Sequence, residues 1–169
     1  YALKVPYVLG QSGAAVTNTA IGTAELNMAS VAYPALGAND SLRITTLWDT
    51  TGSTATNTKN LLIRLSTTGC TPLSACSAGT GALSLNENST SLISHSIVTV
   101  IRNANATNAQ VFQTISSATG LGGTTVAAGS AAVQTNAGGF INIDSITATS
   151  SADVIKLLGY TIELVPGVP

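Results

Sequence analysis

Apolar and polar residues alternate along much of this chain. In "SLRITTLW" (41–48), Leu42, Ile44 and Trp48 share one face while Arg43 and Thr45 take the other. That period of two marks a strand with one side buried. "NLLIRL" (60–65) sets Leu61, Ile63 and Leu65 against Leu62 and Arg64. "FINIDSITA" (140–148) and "TAELNMA" (23–29) carry the β-branched enrichment of strands. "HSIVTVIR" (95–102) is apolar on both faces for part of its length, as in a strand buried between layers. "ADVIKLL" (152–158) could start a short helix, but it runs into "GYTIELV", where Tyr160, Ile162 and Leu164 oppose Thr161 and Glu163. The whole segment therefore reads as strand. No stretch sustains apolar positions at i, i+3, i+4 and i+7 between caps.

Turn clusters separate the strands: "YPALGAND" (33–40), "DTTGSTATNT" (49–58), "TTGCTPLSACSAGTG" (67–81), "ATGLGGTT" (118–125) and "NAGG" (136–139). Many short strands punctuated this way predict an all-β fold, an antiparallel β-sandwich of jelly-roll type with about eight strands. A single domain over 1–169 suffices, with residues 116–139 expected to form a long loop carrying one weak strand. The run "IVTVIRNANATNAQVF" (97–112) reads as a hairpin corner, because Asn side chains bond nearby backbone and tolerate left-handed conformations. Arg102, Asn103, Asn105 and Asn108 are its expected anchors, with Arg102 bonding turn carbonyls.

Composition narrows the function. Charged residues make up 8% of the 169 and the net charge is −1. The six basic residues, Lys4, Arg43, Lys59, Arg64, Arg102 and Lys156, are scattered, so nucleic acid is not an expected partner. With 44% hydrophobic residues the chain is not disordered. No apolar run approaches the ~20 residues of a membrane helix, and no membrane partner is expected. An uncharged Thr/Ser/Asn surface at a net charge near zero favours association, which suits a subunit of an assembly. The chain begins at Tyr1 rather than Met, as expected of a processed protein or a piece of a longer one; no signal-peptide pattern is present.

Candidate chemistry is sparse. His95 is the only histidine, so any histidine-based triad must use it. Its neighbours Ser94 and Ser96 point to the opposite face of a strand, and "GQSGA" (10–14) misses the nucleophile-elbow spacing. A strand-edge or surface histidine is the expectation. One His and two Cys cannot build a zinc site. The oxygens of Asn86, Glu87, Asn88, Asp144 and Asp153 fall into no calcium-loop spacing. "TGLGGTT" (119–125) lacks the Walker lysine. Seven acidic residues leave no pair singled out for sugar hydrolysis. No enzyme activity, cofactor or metal is therefore expected. Cys70 and Cys76 share one loop with Pro72 between them. They admit a disulfide closing a small loop or two free thiols in a protein assembled in a reducing compartment.

Several segments, in order, carry a resemblance. "ALGANDSLRITTLWDTTGSTATNTKNLLIRL" (35–65) resembles a pattern in structural proteins of tailed phages and prophages. There a Leu-Gly-Ala-Asn turn leads to "LRITT-W", a polar hairpin and an aliphatic-Arg strand. "IRNANATNAQ" (101–110) resembles their Asn-rich turn, "DVIKLLGYTIELVPG" (153–167) their C-terminal strand, and "VLGQSGAAVTNT" (8–19) their start. The loop 67–81 departs from the pattern and looks like an insertion. The resemblance implies a non-enzymatic virion protein: a capsid-decoration or head-fibre subunit, expected to be trimeric and to partner itself and the major capsid protein. The alternative is a receptor-binding module of a tail fibre or tailspike that recognises host surface glycan. Leu47 and Leu62, on outward-looking faces, are the expected interface residues. Trp48 and the tyrosines are the candidate sugar platforms, although Trp48 runs in phase with Leu42 and Ile44 and so reads as core.

Overall fold

Alternation becomes two antiparallel sheets in the computed structural model, which describes residues 5–20, 24–51, 59–76, 79–87, 93–116, 128–147 and 153–167. Eleven strands lie within these residues: β1 (Tyr7–Ser12), β2 (Val16–Asn18), β3 (Leu26–Tyr33), β4 (Ser41–Thr51), β5 (Lys59–Ser66), β6 (Thr80–Glu87), β7 (Ile93–Asn103), β8 (Gln110–Ser116), β9 (Ala128–Ala131), β10 (Gly139–Thr147) and β11 (Val154–Val165). Eight are long; β1, β2 and β9 are shorter strands at the margins of one sheet. The "TGLGGTT" loop, Asn88 and the tip of the 49–58 turn fall outside the described residues.

Sheet A has the order β1-β11-β4-β7-β8-β9, with β2 also pairing β11; sheet B has the order β3-β10-β5-β6. Each sheet contributes one apolar face to a common core. Leu42, Ile44, Trp48, Ile97, Ile162 and Leu164 point inward from sheet A, and Leu61, Ile63, Leu65, Ile141 and Ile143 from sheet B. Full burial of each such side chain stabilises by about 1.5–3 kcal/mol. Two bulges keep the phase correct. At Leu158 the register of β11 against β4 shifts by one residue, so the inward set changes from Ile155 and Leu157 to Ile162 and Leu164. At Met28 the register of β3 against β10 shifts similarly. On the β1 side the sheets close together: a Cβ on Gly10 would lie 2.7 Å from Val31 Cγ1, so only glycine lets β1 sit against β3.

The loop 67–76 is a flap over the outer face of sheet B. Cys70 and Cys76 are joined by a disulfide. The Cys70 N–H donates to Ser30 Oγ, the Leu73 N–H to Asn27 O, and the Cys76 N–H to Glu25 O. Asn142 Nδ2 donates to Thr68 O. Pairing to the start of β3 draws the flap across β10, so Asn142 and Asp144, on the outward side of their strand, are fully buried.

Candidate functional site

The Asn-rich corner is a buried scaffold. Asn103 and Gln110 face each other across the β7–β8 hairpin, and both are buried with Thr135. Asn103 Nδ2 donates to Gly37 O (2.7 Å) and Thr135 Oγ1 (2.9 Å), while its Oδ1 accepts from Gln110 Nε2 (2.9 Å). The Gln110 amide also binds both the N–H and the C=O of Val133. Three loops are thereby tied at one end of the sandwich. Asn105 holds the turn with φ 62°, and it and Asn108 are exposed. Arg102 is exposed and its guanidinium bonds no turn carbonyl, because alternation sends its side chain to the face opposite Asn103. The anchors are Asn103 and Gln110 rather than Arg102.

A second buried network lies under the flap. Arg64 places Nε and Nη2 on the two carboxylate oxygens of Glu25. Asp144 is fully buried alongside, with Oδ2 3.7 Å from Arg64 Nε and Oδ1 accepting from Asn27 Nδ2 at 2.8 Å. Although 3.7 Å is within ion-pair range, the fork of Arg64 is already occupied by Glu25. Burial is the main cause that pushes the Asp144 carboxyl up to about 7; the Asn27 hydrogen bond opposes it, and neighbouring Glu25 adds to the rise. One arginine serves both the partly buried Glu25 and the fully buried Asp144, so the Asp144 carboxyl takes up a proton at a higher pH than an exposed carboxylate does.

Other candidates are placed inside or aside. His95 is 3% exposed, not at the surface or a strand edge. It faces the core in register with Trp48, and its Nε2 lies 3.2 Å from Thr50 Oγ1. Trp48 is 1% exposed, so it offers no platform. Leu62 is 5% exposed; its register neighbour Asp144 lies on the covered side of sheet B, and it presents no surface for an interface. Leu47 is 46% exposed on the outer face of sheet A. Among the described residues no group of three His, Cys, Asp or Glu could hold a metal, and no helix is long and apolar enough to cross a membrane.

Two grooves open at the same end of the sandwich. One, of about 410 Å³, is lined by Leu65, Ser66, Thr67, Thr68, Val133 and Gln134, hydroxyl-rich and without an aromatic ring. The other, of about 400 Å³, is lined by Val5, Tyr7, Pro34, Asp40, Leu164 and Pro166. There Tyr7 is 49% exposed. Asp40 is fixed at the base: its Oδ2 accepts from the Gly37 N–H (2.7 Å) and its Oδ1 from the Gly167 N–H (2.8 Å). These bonds clamp the loop before β4 to the segment after β11. The groove thus offers an aromatic face, rigid apolar walls and one oriented carboxylate. Sequence spacing gives no sign of it, because Tyr7, Pro34, Asp40 and Pro166 come from three distant segments.

No protein-family model matches the sequence, and no curated protein matches it. Among solved structures, the chain is similar to a potassium-bound carbohydrate recognition domain of Emp46p (TM-score 0.46, 10% identity, covering 88% of this chain and 81% of that one). It is also similar to lectin II from Ulex europaeus (TM-score 0.42, 10% identity, 88% and 85%). A third likeness is to the CBM2 module of the evolved Dit of Lactobacillus casei BL23 phage J-1 (TM-score 0.44, 8% identity, 94% and 96%). At this level of similarity none of them bears on the ligand or activity of this chain.

Proposed function

We propose that this chain is a non-enzymatic binding module on the surface of a tailed-phage particle, and that it recognises host glycan in the Tyr7 groove. The observation that carries the reading is the half-exposed Tyr7 ring set beside the buried, hydrogen-bonded Asp40 carboxylate in a cleft of about 400 Å³. A pyranose ring stacks its C–H face on an aromatic side chain, and a fixed carboxylate orients its hydroxyls. The virion setting rests on the ordered resemblance of residues 35–65, 101–110 and 153–167 to phage structural proteins. The test is binding to host surface polysaccharide and to a glycan array. Tyr7→Ala should weaken binding at least about tenfold, the scale of 1.4 kcal/mol, at an unchanged melting temperature. Failure to bind any glycan, or binding indifferent to Tyr7→Ala, rejects this reading.

A second reading, a capsid-decoration or head-fibre subunit docking on the major capsid protein, is favoured by a different feature. The outer face of sheet A leaves Leu47, Val100, Val111 and Ile115 exposed at 39–60%. A decoration protein should rebind capsids stripped of it, in numbers that follow the shell's symmetry, and should ignore host polysaccharide.

A further inference from the structure

The outer face of sheet A is exposed across its central strands, and its side chains are laid out in a pattern that fits itself. The register puts Asp49 beside Ser94 at one end of the β4–β7 pair and Arg102 beside Ser41 at the other. Midway, Thr45 pairs with Val98. Asp49 is four residues from Thr45 along β4, and Arg102 is four residues from Val98 along β7 in the opposite direction. The opposite charges therefore stand at equal distances, roughly 13 Å, on either side of the Thr45–Val98 row at ~3.3 Å per residue. Between them lie Leu47, Val98, Val100 and Ile115, with the Arg43–Glu163 pair at 3.8 Å balancing its own charge; Lys156 of β11 stands in register beside Asp49, which also accepts from Ser94 Oγ at 2.6 Å.

We infer that this face pairs with the same face of a second copy of the chain, about a two-fold axis perpendicular to the strands through the Thr45–Val98 row. That rotation carries each end of the face onto the other end. Asp49 then meets Arg102 of the partner subunit, twice by symmetry, and Leu47 lies opposite the aliphatic stem of Arg43 of the partner subunit, with Val100 of the partner subunit on the next strand. No like charges are brought together along β4 or β7. A face that meets itself is isologous and closes as a dimer, not as the trimer expected from the sequence. The area is sufficient: six strands at ~4.8 Å spacing and about seven residues of length give roughly 650 Å² of plane per copy, close to the ~800 Å² per partner of a stable interface. The inference is independent of glycan recognition; a dimer would present two Tyr7 grooves to a multivalent surface.

Sedimentation equilibrium of the 169-residue chain over a wide concentration range tests it, with circular dichroism confirming that each variant folds. The wild type should be a dimer that dissociates on dilution. Val98→Asp should abolish it. Asp49→Arg and Arg102→Asp should each weaken it at least about tenfold, and the double reversal should recover most of the loss, as charge pairs across an interface do. A wild type that stays monomeric throughout, a dimer indifferent to Val98→Asp, or reversals whose effects simply add in the double variant would overturn the proposal.

Discussion

Replacing Asp144 by asparagine tests the protonation of the network under the flap. In the folded protein the Asp144 carboxyl holds its proton to about 7, against an ordinary value of 3.8. The facing groups are Glu25, Arg64 and Asn27, and residues 67–76 of the flap add no ionisable side chain beyond the bonded cysteines. Between these two values the unfolded chain binds fewer protons than the folded one, so this group makes stability fall as pH rises from about 4 to about 7 and then level off. The full span corresponds to roughly 4 kcal/mol, an upper bound because the Asp144 carboxyl interacts directly with charged neighbours. Asparagine keeps the acceptor for Asn27 Nδ2 and supplies an N–H where the carboxyl had its O–H, with no proton to lose. Asp144→Asn should therefore match the wild type within about 1 kcal/mol near pH 4 and exceed it by up to about 4 kcal/mol above pH 7. Urea unfolding of both proteins from pH 4 to 9 reads the difference, which cancels the titration of every other group. If Asp144 were instead an ionised partner of Arg64, the variant would lose ground as pH rises, and that sign would refute the reasoning.

Other substitutions separate scaffold from surface. Asn103→Ala removes three hydrogen bonds, two of them buried, and should cost about 3 kcal/mol in denaturant unfolding; Arg102→Ala, on the exposed face, should change the stability of the monomer by less than about 0.5 kcal/mol. Reduction of Cys70–Cys76, or Cys70→Ser with Cys76→Ser, should cost about 2 kcal/mol by the loop-entropy model, and amides bonded to the flap, such as that of Asn27, should exchange faster than those of β11. Gly139→Ala would drive a Cβ to 2.4 Å from Ser66 O and 2.5 Å from Tyr33 Oη, so a loss of about 1–3 kcal/mol is expected in a melting experiment.

Strand positions were legible in the sequence because alternation is a local property. Leu42, Ile44 and Trp48 point inward as their spacing predicts, and so do Leu61, Ile63 and Leu65. The short β1 and β2 fell below that signal, since Gly10 interrupts β1; β9, which reads Ala-Gly-Ser-Ala, is the one weak strand expected within 116–139, though its place there was not legible. Spacing also misjudged residues whose environment comes from elsewhere in the chain. His95 was expected at a strand edge or the surface, yet it lies in register with Trp48 and its imidazole enters the core. Leu62 looked available because it alternates against Leu61 and Ile63, yet its side of sheet B is covered.

By itself the sequence determined the all-β character, the inward face of each long strand, the hairpin at 103–110 and the scarcity of catalytic groups. Each follows from neighbours within a few residues or from composition. Tertiary structure decided that the cysteine loop is a lid rather than a loose insertion. It decided that burial raises the Asp144 carboxyl well above the ordinary carboxylate range and that Asn103 rather than Arg102 holds the corner. It also decided that Tyr7, Pro34, Asp40 and Pro166 share a groove, and that Asp49 and Arg102 bracket one flat face. Burial, charge balance and shape at these sites depend on residues up to 127 positions apart that hydrogen-bond directly, as Asp40 and Gly167 do, and no local pattern carries that information.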